Sequence, residues 1–249
     1  MKVVVTNDDG VHTPFLEPLI EALREDGHHV VAVVPERPRS AAGLARTYHK
    51  PLRVRKVGGL YVINGFPADA VFLALKLLAP DADLVISGVN VGENIGLEAT
   101  YGSGTVGAAI QGGVLGVPSL ALSMEVGGDI ALMKKIVKAA VETAGWGIED
   151  FLAVSLNIPN RWGGGLYCPS RLARIVYRER LYENIDPRGD RYYWRWGDRV
   201  DRLDEGTDAY YFYIRRGVTA LGITERGVAK AEPFVGELAV RIGAKYIKC

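Results

Sequence analysis

The sequence contains few cysteines, and this excludes two kinds of architecture. Only Cys168 and Cys249 occur among the 249 residues. A disulfide framework needs more cysteines, and a structural zinc site usually needs closer spacing. We therefore expect both cysteines to be incidental. A Gly-x-Ser-x-Gly elbow is also missing, and no Ser-His-Asp pattern stands out, so nothing in the sequence indicates a serine hydrolase.

An excess of charge of one sign is missing as well. The 30 Lys and Arg residues nearly balance the 29 Asp and Glu residues, and the net charge is +1. No global field would recruit duplex nucleic acid or a membrane surface. No apolar run approaches the roughly 18 residues of a membrane span, and the N-terminus lacks a cleavable signal pattern. We expect a soluble cytoplasmic protein with neither a nucleic-acid duplex nor a membrane as partner.

The hydrophobic content of 48% is enough for a sizeable core, in one large domain or a domain with an extension. Residues 2–6 are a strand candidate built on Val3, Val4 and Val5, residues 30–34 are a second continuous apolar run, and residues 14–26 between them have helical spacing. Continuous runs are typical of parallel strands covered on both faces, so this is a βαβ unit. The same reasoning predicts a hairpin at 52–57 and 60–63, strands at 83–87, 119–123 and 151–156, and helices at 68–79, 105–115 and 130–144.

The composition changes after about residue 160. Tyr, Trp and Arg dominate residues 166–216, with strand-like alternation and turn signals. We predict an α/β fold with a mostly parallel sheet in residues 1–160. Residues 161–249 are predicted to form an extension of antiparallel hairpins that returns to the core.

Oxygen-bearing side chains follow three of the predicted strands. Ligands of open parallel sheets bind beyond the carboxyl ends of the strands, where such residues would meet. Carboxylate, hydroxyl and amide oxygens suit Mg²⁺ or Mn²⁺ and do not suit zinc. The residues are Asn7, Asp8, Asp9 and Gly10 after the first strand, Arg37, Arg39 and Ser40 after the second, and Ser87, Asn90 and Asn94 after the strand at 83–87.

Each of these residues also has a simpler interpretation. A lone Asp-Asp-Gly is more often an Asx turn or a helix N-cap, Ser40 alone would be a loop hydroxyl, and Asn90 alone would be a turn residue. The position of Asp8 and Asp9 directly after a buried strand changes the balance, since two adjacent carboxylates repel each other and a cation would keep both ionised. We therefore predict one divalent metal ion.

Residues 101–107 contain a Gly-x-Gly-x-x-Gly pattern. Residues 93–101 before it are not a buried strand, so the pattern does not indicate a dinucleotide fold. Its glycines expose backbone N–H groups where a helix begins, and such a helix end favours an anion. Ser103 and Thr105 add hydroxyl donors. A tight turn before a capped helix explains the same residues equally well.

In combination, these motifs closely resemble the SurE survival proteins, a family of metal-dependent 5′/3′-nucleotidases. The resemblance spans nearly the whole chain, and the order of its four N-terminal blocks is highly specific. Those blocks are residues 6–10, 35–40, 87–96 and 103–109, and later matches are 65–69, 157–159, 186–189 and 206–208.

The resemblance implies roles for individual residues. The metal ligands of the family correspond to Asp8, Asp9, Ser40 and Asn90, and its phosphate-binding region to Asn94, Ser103, Gly104 and Thr105. It also implies a Rossmann-like three-layer sandwich whose C-terminal extension swaps between the subunits of a homodimer or tetramer.

The expected activity is that of a phosphoric monoester hydrolase acting on nucleoside 5′- and 3′-monophosphates. Asp8 and Asp9 are the candidate catalytic residues, because one of the two carboxylates could act as the base. Two rivals remain open: a non-catalytic nucleotide sensor and, less favoured by the misplaced glycine motif, an NAD-dependent oxidoreductase.

Overall fold

A sheet of eleven strands forms the centre of the molecule in residues 1–145 and 147–247, the residues that the computed structural model describes. The strands are β1 (Lys2–Thr6), β2 (His29–Pro35), β3 (Val54–Val57), β4 (Leu60–Ile63), β5 (Leu84–Val91), β6 (Ser119–Met124), β7 (Ala153–Ile158), β8 (Gly165–Tyr167), β9 (Tyr177–Ile185), β10 (Arg191–Arg199), β11 (Val218–Thr224), β12 (Gly227–Ala229) and β13 (Lys245–Ile247). The order across the sheet is β13-β8-β11-β7-β6-β5-β1-β2-β4-β3, with β12 beside β11, while β9 and β10 pair as a separate hairpin.

Helices cover both faces of this sheet. They are α1 (Leu16–Glu25), α2 (Pro67–Leu73) with its π-helical continuation Ala74–Leu78, α3 (Leu97–Gly102), α4 (Gly104–Val114), α5 (Ile130–Glu142), a π-helical turn Tyr210–Ile214 and α6 (Glu232–Ile242). The buried faces of α1, α5 and α6 share one hydrophobic cluster, and α2 and α4 pack together on the other face. None of the helices within the described ranges has the length and apolar character needed to cross a lipid bilayer.

The predicted α/β class with a mostly parallel sheet is confirmed. Strands β4, β2, β1, β5, β6 and β7 all run parallel to one another. The valines of β1 are fully buried, as expected for a strand covered on both faces. Thr6, the last residue of β1, pairs in register with Ser87, four residues before β5 ends. This register places the turn after β1 beside the last residues of β5, where the N–H of Val91 donates to Asp9.

Strand β5 is longer than the predicted strand at 83–87. It continues to Val91 because it resumes pairing with β6 after a register shift between Ser87 and Asn90. Gly88 lies in this irregular stretch with φ +134°, and a Cβ there would overlap the carbonyl oxygen of Leu122. Only glycine permits this close approach of two backbones. Part of the segment predicted to be a loop is therefore held in the sheet.

Residues beyond 160 contribute to both sheets. The β9–β10 pair is the antiparallel hairpin that the alternation predicted. Strand β11 pairs antiparallel with β7, and β8 and β13 then extend the main sheet in parallel. Neither α3 nor α6 was predicted. The strands β8 and β13 have three residues each, too few to show a periodic pattern.

A buried carboxylate connects this C-terminal part to the segment after β5. Asp208 accepts backbone N–H groups from Gly96 at 2.6 Å, Ala173 at 2.7 Å and Ala209 at 2.8 Å. Its side chain is fully buried. An ionised carboxylate with three such donors holds three separate backbone segments at one point.

We expect Asp208→Asn to lower the free energy of unfolding by about 1.5–3 kcal/mol, because the amide places a donor against one of three backbone donors. Asp186→Asn is the matched control. Asp186 also accepts two backbone N–H groups, from Arg188 and Asp190, but in an exposed turn. Denaturant unfolding measures both variants, and equal stability of the Asp208 variant and the wild type would contradict this role.

Candidate active site

The turn after β1 is closed by its own asparagine side chain. The Oδ1 of Asn7 accepts the N–H of Gly10, and its Nδ2 donates to the carbonyl of Gly10, both at 2.9 Å. Gly10 has φ +85°, and a Cβ there would lie 3.2 Å from the backbone of Arg37. The turn is therefore tight and packed against the chain after β2, and Asp8 and Asp9 lie within it.

Asp8 is buried and held by two other segments. Its Oδ1 accepts the Thr105 hydroxyl at 2.5 Å, and its carbonyl accepts the N–H of Arg39 at 2.7 Å. A Cβ at Gly104 would lie 2.9 Å from the Asp8 side chain, so α4 begins directly against this carboxylate. Burial, together with the charge of Asp9, raises the pKa of Asp8 above its usual value, although the Thr105 hydrogen bond acts in the opposite direction.

The other three predicted metal ligands surround the same space. Asp9 is half-buried and accepts the N–H of Val91 at 3.0 Å, and burial raises the pKa of this carboxyl as well. The Asn90 amide nitrogen donates to the carbonyl of Gly92 at 2.8 Å, so its Oδ1 is the side-chain atom that could hold a metal ion. Ser40 is exposed on the segment after β2.

Most of the predicted site residues line one cavity of about 640 Å³. Its volume is within the range of pockets that bind small molecules. Gly104 and Thr105 lie behind its wall, in contact with Asp8. The predicted site residues that line it are Asp8, Asp9, Ser40, Asn90, Asn94 and Ser103.

The donor set of this cavity fits a hard divalent cation. Within the part of the chain that the structure describes, no group of three or more His, Cys, Asp and Glu residues could hold a metal ion. A metal would therefore need the two carboxylates and the neutral oxygens of Ser40 and Asn90. Such an all-oxygen set suits Mg²⁺ or Mn²⁺. Two adjacent carboxyls whose ionisation is disfavoured by burial would be stabilised by a cation between them.

The N-terminal end of helix α4 lies beside these carboxylates. Ser103 is the N-cap, and its Oγ accepts the N–H of Val106 at 3.1 Å. The remaining N–H groups of the first turn give this helix end a partial positive charge. A Cβ at Gly107 would overlap the carbonyl of Gly43, so the glycine lets α4 pack against the segment that follows Ser40.

Asn94 is anchored at the floor of the cavity. Its N–H donates to the side-chain oxygen of Asn157 at 2.8 Å, and its amide nitrogen donates to the hydroxyl of Ser123 at 2.8 Å. Ser123 and Asn157 are near the carboxyl ends of β6 and β7. We did not predict either as a site residue. The rule that selected Asp8 and Asn90 would have found both if it had been applied to these two strands.

The outer half of the cavity is formed by residues that we did not predict as site residues, and among them only Glu93 lies in one of the family blocks, 87–96. Glu93, Tyr177 and Arg195 line it together with Glu98 and Glu179. The guanidinium of Arg195 contacts both of the latter carboxylates. These residues come from the segment after β5, from α3 and from the β9–β10 hairpin, and only tertiary folding brings them together.

Comparisons with known proteins agree with the resemblance found in the sequence. The family model "Survival protein SurE" matches residues 3–176. The chain is 68% identical to "5′-nucleotidase SurE 2" of Pyrobaculum aerophilum over the full length of both proteins. It is 39% identical to "5′-nucleotidase SurE" of Caldanaerobacter subterraneus subsp. tengcongensis, with 88% of this chain and 89% of the relative covered.

A solved structure is similar in fold as well. The crystal structure of the SurE protein from Aquifex aeolicus superposes with a TM-score of 0.75 at 33% identity, covering 88% of this chain and 92% of the other. The match to the family model covers well over half of the chain, and the relatives align along almost all of it. This chain therefore belongs to the SurE family.

Proposed function

We propose that this protein is a phosphomonoesterase that hydrolyses nucleoside 5′-monophosphates, and also 3′-monophosphates, to nucleoside and phosphate. The observation that carries this proposal is the start of α4 directly against the buried carboxylate of Asp8, in one cavity with Asp9, Ser40 and Asn90. Carboxylates repel a phosphate, so a helix end that attracts it makes chemical sense here only with a cation between them. The relatives named 5′-nucleotidases support the same activity.

In this proposal Asp8, Asp9, Ser40 and Asn90 hold one divalent ion, Mg²⁺ or Mn²⁺. When bound, it would neutralise phosphate charge and acidify a water molecule.

The chain's own groups bind and orient the substrate. Backbone N–H groups at Gly104, with the side chains of Ser103 and Asn94, are proposed to bind the phosphate oxygens. Thr105 orients Asp8 through the hydrogen bond described above. Asp8 or Asp9 accepts the proton of the attacking water.

We also propose that residues 1–160 form the catalytic domain, and that residues 161–249 form an extension that is swapped between subunits of a homodimer or tetramer. The exposed hairpin supports this second part. Leu181 and Trp196 are 70% exposed and Trp194 is 66% exposed. Large apolar surfaces of this kind are typical of interaction sites. A cytoplasmic location remains a prediction.

Asp8→Asn should lower the rate of phosphate release from AMP by at least about a hundredfold, because it removes a negative charge from the metal ligands. The fold should persist, since the amide has nearly the same shape. Asp81→Asn is the control, because Asp81 pairs with Lys2 at the exposed opposite end of β1. Wild-type turnover by the Asp8 variant with Mg²⁺ or Mn²⁺ would refute the proposed site.

Removal of divalent metal by EDTA should abolish phosphate release, and addition of Mg²⁺ or Mn²⁺ in excess of the chelator should restore it. Colorimetric detection of inorganic phosphate measures both steps. A nucleotide sensor would instead bind AMP without releasing phosphate in any metal condition.

Thr105→Val should raise the Mn²⁺ concentration needed for half-maximal activity by about tenfold or more, because the Asp8 carboxylate loses the donor that orients it. Thr105→Ser, which keeps the hydroxyl, should restore the wild-type value. Titration calorimetry of Mn²⁺ binding separates an effect on metal affinity from a purely structural defect. Unchanged metal affinity in the valine variant would count against the positioning role.

A further inference from the structure

Glu93 is a carboxylate in the cavity that the proposed mechanism does not use. It lies on the segment after β5, three residues beyond Asn90, and lines the same cavity as Asp8. Its side chain is half-buried. Three residues of chain span at most about 10 Å, so the backbone of Glu93 lies within that distance of Asn90, one of the proposed metal ligands.

Two tyrosines hold this carboxylate in place. The Tyr213 hydroxyl donates to Glu93 Oε1 at 2.6 Å, and the Tyr177 hydroxyl lies 3.5 Å from the same oxygen and 3.4 Å from the Tyr213 hydroxyl. Burial and the neighbouring carboxylate raise the pKa of Tyr213, so this phenol remains a donor at neutral pH. The second oxygen, Oε2, is then the atom that can receive a ligand.

Glu93 differs from the other outer carboxylates of the cavity. Glu98 and Glu179 both contact the guanidinium of Arg195. Glu93 forms no ion pair with any residue that the structure describes. A fixed carboxylate without a cation can accept hydrogen bonds from hydroxyl or amino groups of a ligand.

The position of Glu93 determines which hydrogen-bond donors of a bound nucleotide its carboxylate can reach. The sugar is the group next to the phosphate, and its hydroxyls are donors. The wall further out includes the exposed apolar side chains of Leu97 and Ile175, which suit the face of a base. A carboxylate near the phosphate end therefore meets the sugar before it meets the base.

We infer that Glu93 accepts hydrogen bonds from the 2′- and 3′-hydroxyls of a nucleoside 5′-monophosphate and so makes the site prefer these substrates to their 2′,3′-dideoxy analogues. Tyr213 acts as a positioning residue that holds the carboxylate. This inference rests on the proposed nucleotidase function and specifies the sugar as a part of the substrate that the cavity recognises. A carboxylate that accepts a ribose hydroxyl is a chemically common arrangement, because the charged acceptor strengthens the hydrogen bond.

The test compares three substrates: AMP, 2′,3′-dideoxy-AMP and p-nitrophenyl phosphate, which has no sugar. For the wild type, kcat/KM for AMP should exceed that for dideoxy-AMP by about tenfold or more. Glu93→Gln should lower kcat/KM for AMP by about tenfold, mainly by raising KM. For the other two substrates kcat/KM should stay within about twofold of the wild-type value. Tyr213→Phe should change the AMP value in the same direction by a smaller factor.

Glu183→Gln is the matched control, because Glu183 also accepts a tyrosine hydroxyl, that of Tyr193 at 3.1 Å, but on the exposed hairpin. It should change none of the three values. The inference is overturned if the wild type does not discriminate AMP from dideoxy-AMP, or if Glu93→Gln lowers kcat/KM equally for all three substrates. A change in the preference among bases, measured with GMP against AMP, would also overturn it. Thermal unfolding shows whether Glu93→Gln is folded. If it is not, the kcat/KM values of Tyr213→Phe for AMP and dideoxy-AMP decide the question.

A binding measurement separates this inference from the proposed activity. Calorimetry in EDTA compares adenosine with 2′,3′-dideoxyadenosine, neither of which has a phosphate to release. Tighter binding of adenosine, lost in Glu93→Gln, supports sugar recognition even if no phosphomonoester is hydrolysed. Equal binding of the two nucleosides by the wild type overturns sugar recognition even if AMP is hydrolysed.

Discussion

The burial of two adjacent carboxylates at the end of β1 is the constraint on which the rest of the site depends. Asp8 and Asp9 both have a raised pKa because of burial, so their ionised forms need compensation from their surroundings. Thr105 and the backbone N–H of Val91 supply hydrogen bonds to these carboxylates. A divalent cation is the compensation that suits the remaining oxygens, and its charge would also attract a phosphate.

Close backbone packing makes this arrangement possible. A side chain at Gly104 would press on Asp8, and one at Gly107 would overlap the segment after β2. The end of β1, the segment with Ser40 and the start of α4 can thus approach one another because glycines occupy the contact points. The same small residues leave backbone N–H groups accessible at the helix end, so packing and anion binding have one structural cause.

Much of the fold could be predicted because its central strands are buried on both faces. Val3, Val4 and Val5 form a continuous apolar run, and such runs correctly predicted a mostly parallel sheet. Predictions were weaker where backbone pairing or short elements decide the structure. The continuation of β5 to Val91 depends on a register shift against β6, and the three-residue strands β8 and β13 carry no periodicity.

By itself, the sequence determined the inner half of the candidate site. Asp8, Asp9, Ser40 and Asn90 lie just beyond or at the carboxyl ends of parallel strands, and sheet geometry brings such positions together whatever the details of packing. Only the tertiary structure decided the outer half. Glu93 becomes a fixed acceptor because Tyr213, 120 residues away in the chain, donates to it. That contact depends on how the C-terminal segments fold back over the sheet, and no local pattern of residues specifies it.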